Sequence, residues 1–151
     1  MKYSFYDTAK YKCKLEREPG YRYKNCKAKD TASAHEFLKY ELGLGDETDM
    51  VFLMLCLDIK GQIIGVHEVS RGQIGEALVN PAEVFKRAIL NNATHIIIAR
   101  NSPSGIAEPS THDIKTAERL ADGGELLGVK VIDFIIIGDD EWYSFKLEGL
   151  I

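Results

Sequence analysis

With 151 residues and a net charge of −4, the chain has the size of one domain, long enough to bury about 70% of the surface its unfolded form would expose. Its cysteines, Cys13, Cys26 and Cys56, are odd in number and form no Cys-x-x-Cys pair, which excludes a disulfide framework and leads us to expect a reduced, cytoplasmic protein. The longest apolar runs, around Val51–Leu57 and Val131–Ile137, fall far short of the roughly 20 residues that cross a bilayer, so no membrane-spanning helix is expected.

The mean charge hides an asymmetry, because residues 1–29 carry net +6 and residues 30–151 net −10. Five of the seven tyrosines also fall within the first 23 residues. Basic residues interleaved with aromatics can form a nucleic-acid surface. The same composition equally suits an amphipathic hairpin whose tyrosines pack on the body of the protein. We therefore divide the chain into a basic, Tyr-rich extension of strand or hairpin character, residues 1–29, and a main domain, residues 30–151.

In chain order, the extension predicts two short strands around "REPGY", where Pro19-Gly20 makes the turn. From Asp30, "DTASAHEFLKYEL" has a capping residue and then Ala34, Phe37, Leu38 and Leu42 at helical spacing. "MVFLMLCLD" and "QIIGVHEVS" read as two strands joined in a hairpin at "IKG". "NPAEVFKRAILNNA" is the clearest helix: Asn80 caps it, Pro81 suits its first position, and Val84, Phe85, Ala88 and Ile89 line one face. "HIIIA" is a buried strand, followed by the loop "RNSPSGIAEP", a helix from Ser110 to about Leu127 with Gly128 as C-cap, and two closing strands, "VKVIDFIIIG" and "EWYSFKL". Gly123-Gly124 reads as an interruption of that second long helix, since each glycine costs about 1 kcal/mol relative to alanine. The strand Val51–Leu57 reads as an edge on which another copy can pair, so a homo-oligomer is left open. Interleaved strands and about three helices make the fold α/β.

The loop after "HIIIA" draws attention because residues two apart in a strand point the same way. Arg100 and Ser102 then project together beyond the strand end, and Asp113, in the first turn of the next helix, approaches the same place. Two groups from a strand end and one from a helix start can hold a catalytic zinc with its fourth position open to water. Ser110 followed three residues later by Asp113 is also a capping pattern, and an acid in the first turn is favoured by the helix dipole. Asn101 is expected to bond to backbone.

These residues resemble the metal loop of the JAB/MPN (JAMM) family, in particular its RadC-like branch, whose pattern is His-x-His-Pro-Ser-Gly and then Pro-Ser-x-x-Asp. Arg100-Asn101-Ser102-Pro103-Ser104-Gly105 and Pro109-Ser110-Thr111-His112-Asp113 keep the spacing without either histidine. The resemblance runs from about Asp30 to Ile151 and implies a mixed, cytidine-deaminase-like sheet flanked by about three helices. It also implies zinc, a metallopeptidase or isopeptidase activity, an association with DNA repair, and a glutamate acting on the metal-bound water. Counting back from Asp58 puts that glutamate at Met50, with Glu47 and Asp49 close by. Phe134 stands where the RadC-like branch usually has histidine.

The chemistry of the substitutes is unequivocal. A guanidinium has no free lone pair and brings positive charge to the place of a dication, and a serine hydroxyl is a poor substitute for imidazole. Asp113 is then the only standard ligand in position, so no metal is expected. His35, His67, His95 and His112 show no ligand spacing with one another; His112, beside Asp113, is the nearest to the site. Cys56, inside an apolar strand, reads as core.

Three functions follow. The first is a non-catalytic binding or scaffold module that uses the former active-site cleft around Met50, Arg100, Ser102, Ser110 and Asp113 to take a protein or an anionic ligand, with Arg100 paired to Asp113 in place of metal. The second is a metal-dependent hydrolase with an altered ligand set. The third is a repair-associated protein making weak nucleic-acid contact through residues 1–29, which the acidic body opposes.

Overall fold

The computed structural model describes Lys12 and residues 14–19, 26–72 and 79–151. The two strands expected around "REPGY" and the Tyr-rich start lie outside the described residues, apart from the exposed residues 14–19.

Helix α1, Thr31–Glu36, starts at Asp30, whose carboxylate accepts from the Ser33 amide at 2.8 Å while the Ser33 hydroxyl accepts from the Asp30 amide at 3.1 Å. It continues as a π-helical turn, Phe37–Glu41, and so ends later than its α-helical hydrogen bonds do. Strands β1, Met50–Leu57, and β2, Ile63–Gly72, form the expected hairpin, with the Asp58 side chain accepting from the amides of Lys60 and Gln62 across the turn. Helix α2 spans Pro81–Leu90 under its Asn80 cap, β3 spans His95–Asn101, and α3 spans Thr111–Leu127. Strands β4, Lys130–Ile137, and β5, Trp142–Ser144, complete the chain.

The sheet order is β2-β1-β3-β4-β5. β1 is antiparallel to both β2 and β3, β3 and β4 are parallel across the α3 crossover, and β5 returns antiparallel to β4. This is the mixed α/β sheet with three helices that the sequence predicts. One expectation is corrected: β1 is an interior strand, buried on both faces, so Val51–Leu57 offers no free edge. Its run of apolar residues without alternation is the mark of a central strand. The edge on this side is β2, which is bulged opposite Phe52/Leu53 and again opposite Cys56/Leu57, features that blunt an edge against pairing.

Strand alternation sorts the core into two layers. Phe52, Met54, Cys56, Ile96, Ile98, Phe134 and Ile136 pack with Val84, Phe85 and Ala88 of α2 and Ala117 and Leu120 of α3. Val51, Leu55, Leu57, Ile97, Ala99, Ile135 and Ile137 pack on the other face with Ala34, Phe37 and Leu38. Phe134 is fully buried and stacks on Phe145 at 4.7 Å, so the position at which the resemblance implies a histidine is core here. Cys56 is also core, its thiol pushed up to about 12 by burial.

Gly123-Gly124 does not break α3, which runs through both. The glycines admit neighbours instead: a Cβ at Gly123 would sit 2.9 Å from the Phe85 ring, and one at Gly124 would collide with the Val129 carbonyl oxygen. The propensity cost is thus offset by close packing of α3 on α2 and on the turn into β4. Gly124→Ala, which propensity alone would favour by about 1 kcal/mol, should instead destabilise by about 1–3 kcal/mol, read from denaturant unfolding.

Candidate functional site

β3 leaves the sheet at Asn101, and in open α/β sheets ligands bind beyond the carboxyl ends of such strands. Alternation sends the Arg100 side chain to the α2/α3 side and that of Asn101 to the α1 side. Both are buried, at 5% and 1% exposure.

Arg100 meets Asp113 side-on. Its Nε donates to Asp113 Oδ1 at 2.8 Å and its Nη2 to Oδ2 at 2.5 Å. Nη1 donates to the Asn101 carbonyl at 3.0 Å, and Nη2 reaches toward that of Glu108 at 3.5 Å. Asp113 also closes the capping box of α3: Oδ2 accepts from the Ser110 amide and hydroxyl at 2.7 and 2.9 Å, and Ser110 Oγ accepts from the Asp113 amide at 3.1 Å. Burial by itself pushes the Asp113 carboxyl up. The hydrogen bonds from Arg100 and Ser110, with the guanidinium charge, outweigh it and hold the acid below its ordinary value.

Three of the five site residues chosen from sequence therefore meet: Arg100, Ser110 and Asp113. Ser102 does not join them. Its amide extends the parallel ladder to the Ile137 carbonyl at 2.8 Å, a turn follows in which Gly105 N donates to Ser102 O at 2.8 Å, and its hydroxyl lies 3.1 Å from that of Ser104. Gly105 has φ +84°, and a Cβ there would collide with Asp139, so the turn packs directly on the β4–β5 loop. Met50 lies at the same end and face of the sheet, two residues from Phe52, the partner of Arg100, and packs partly buried against the apolar cluster.

The neighbouring acids are turned elsewhere. Arg71 Nη1 lies 2.9 Å from Glu47 and 3.6 Å from Asp49, and Arg71 Nε lies 2.6 Å from Glu68. The hydrogen bonds from Arg71 hold Glu47 below its ordinary value, against a small contrary effect of burial. Sequence reading did not find Arg71 at this end of the sheet, because Glu47 and Asp49, unlike Glu68, are far from it along the chain. It foresaw backbone bonding for Asn101 but not its extent: Asn101 Oδ1 accepts from Val51 N at 2.8 Å, and Nδ2 donates to the carbonyls of Glu47 and Asp49 at 3.1 and 2.7 Å. The segment entering β1 is thereby sewn to the end of β3.

The residues present do not suit zinc. Arg100 places a cation where one ligand would stand, Ser102 faces Ser104, and Met50 has no acid to offer. Among the described residues, no group of three or more His, Cys, Asp and Glu is placed to hold a metal. His112 is exposed on α3, His95 Nδ1 lies 2.8 Å from Thr94 Oγ1, and His35 stacks on Trp142 at 4.5 Å.

A mixed five-stranded sheet with this loop at the end of β3 defines a JAB-type α/β domain. The description "RadC-like JAB domain" matches residues 28–150, and the chain belongs to that family. It is 43% identical over 100 residues to a UPF0758 protein of Methanosarcina barkeri, covering 66% of this chain and 44% of that protein. It is 41% identical over 100 residues to one of Desulfitobacterium hafniense, with the same coverage, and 40% identical over 120 residues to one of Trichlorobacter lovleyi, covering 80% and 51%. The chain thus spans about half the length of these curated relatives, or somewhat less. No helix among the described residues is long and apolar enough to cross a membrane.

Breaking a buried ion pair strands a charge, so Arg100→Ala should lower unfolding free energy at pH 7 by about 3–5 kcal/mol. Asp113 has a lowered pKa in the folded state, so its contribution is complete above the unfolded value near 3.9 and is lost as pH falls through the folded value. Urea titrations from pH 7 to 3 should show that acid-dependent loss in the parent chain, and a smaller one in Arg100→Ala.

Proposed function

We propose that this chain is a metal-free RadC-like JAB domain that works as a non-catalytic binding or scaffold module through the loop surface around Met50, Ser102 and Ser110. The observation that carries this reading is the side-on Arg100–Asp113 pair, buried to 6% and 4% side-chain exposure, which sets a fixed cation against the carboxylate that the resemblance implies as a metal ligand. Asp113 accepts from Arg100 and Ser110, so both of its oxygens are engaged within the protein. Among the described residues, Glu47 and Asp49 face Arg71, which speaks against either as a general base.

The nature of the pair favours a protein segment over an anion as the partner. Arg100 is neutralised by Asp113 and spends its donors on Asp113 and backbone carbonyls, so the surface it underlies offers the hydroxyls of Ser102 and Ser104 and the apolar Met50 rather than free positive charge. A role in nucleic-acid binding rests on residues 1–29 alone, against a main domain of net −10. A cytoplasmic location belongs to the same proposal.

Metal analysis of chain purified without chelator tests the reading. We expect far less than one zinc per chain and no thermal shift on adding zinc, where a bound site at 100 times its Kd would contribute about 2.7 kcal/mol. One zinc per chain overturns it. In the converse experiment, Arg100→His combined with Ser102→His should acquire a zinc-dependent rise in Tm that the parent lacks.

A further inference from the structure

The edge strand β2 is tied to helix α2 through a side-chain pair apart from the loop site. Asn91, the C-cap of α2, has its Nδ2 2.9 Å from the Arg87 carbonyl and 2.5 Å from Nε2 of His67 on β2. An amide nitrogen carries two protons and no lone pair, so with one proton on the Arg87 carbonyl the other points at His67, whose Nε2 must accept. The imidazole is then neutral, with its proton on Nδ1. Turning the amide over would set its oxygen against the Arg87 carbonyl, so the orientation is fixed by the helix end. Gly65 supplies the room: a Cβ there would collide with Asn91 Oδ1.

We infer that His67 and Asn91 form an acid-sensitive latch between β2 and α2, closed while the imidazole is neutral and opened when a proton on Nε2 confronts the Asn91 amide. The surroundings reinforce the closed form. Burial holds His67 below its ordinary value, outweighing the contrary pull of the side-chain hydrogen bond with Asn91, and the positive charge of Arg87 adds to the lowering. Among the described residues the charged groups on that side are Arg87 and its partner Glu83, whose Oε2 lies 2.7 Å from Arg87 Nη1. From β1 the residue opposite His67 is Met54, and Glu68 of β2 pairs with Leu53 on the other face. Among the described residues, no carboxylate is therefore free to receive an imidazolium. The sign follows: between the unfolded histidine value near 6.5 and the lower folded one, the detached state binds more protons, so acid opens the latch.

Amide hydrogen exchange on the full chain, corrected for intrinsic pH dependence, tests the latch. Protection of residues 63–68 and of the last turn of α2 should fall as pH is lowered from 7.5 to 5.0, by up to about tenfold per pH unit within that window. His67→Gln, which keeps an uncharged acceptor at every pH, should remove the slope. Asn91→Asp, which gives the imidazolium a carboxylate, should reverse it, so that protection rises as His67 becomes charged. Flat protection in the parent chain, an equal slope in His67→Gln, or an unchanged slope in Asn91→Asp overturns the inference.

Discussion

A buried guanidinium and a buried carboxylate locked side-on, Arg100 against Asp113, are the constraint around which one end of this domain is built. Desolvating two charges costs several kcal/mol per ion, and only good geometry with satisfied remaining donors returns it. Both conditions hold here. The fork meets both carboxylate oxygens, the other donors reach backbone carbonyls, and Ser110 completes the acceptor side. The pair thus fixes the last residue but one of β3, the start of α3 and the loop between them as one body.

The opposite face of the strand does a matching job with a neutral side chain. Asn101 gathers the backbone of Glu47, Asp49 and Val51, while Arg71 holds the side chains of the same segment from the β2 side. Together they leave the end of the sheet closed by mutual hydrogen bonds. In a metallohydrolase the same place must keep an acid and an open coordination position, and its polar groups must point at solvent or substrate. Here they point at one another.

Within β4 a second buried acid is held by hydrogen bonds, with no ion-pair partner among the described residues. Asp133, 2% exposed, accepts from the Thr31 hydroxyl at 3.1 Å, the Ser144 hydroxyl at 2.7 Å and the Lys146 amide at 3.0 Å. It joins α1, β4 and the turn after β5. These hydrogen bonds satisfy both side-chain oxygens and so offset the cost of burying them.

The sequence by itself determined the elements and the family, because both depend on local signals. Caps at Asp30, Asn80 and Ser110, the αL glycine at 128, the hairpin at "IKG" and the spacing of Pro103-Ser104-Gly105 to Asp113 are all written within a few residues of where they act. It also determined that Arg100 is no metal ligand, since that follows from the residue type alone. Only the tertiary structure decided that β1 is interior, that Gly123-Gly124 is a contact rather than a break, that Ser102 turns to Ser104, and that Glu47 and Asp49 face Arg71. Each of these depends on which distant residue arrives beside it. Local rules assign a residue its conformation, but the partner that satisfies its charge or fills its space comes from another strand or helix, and packing chooses it.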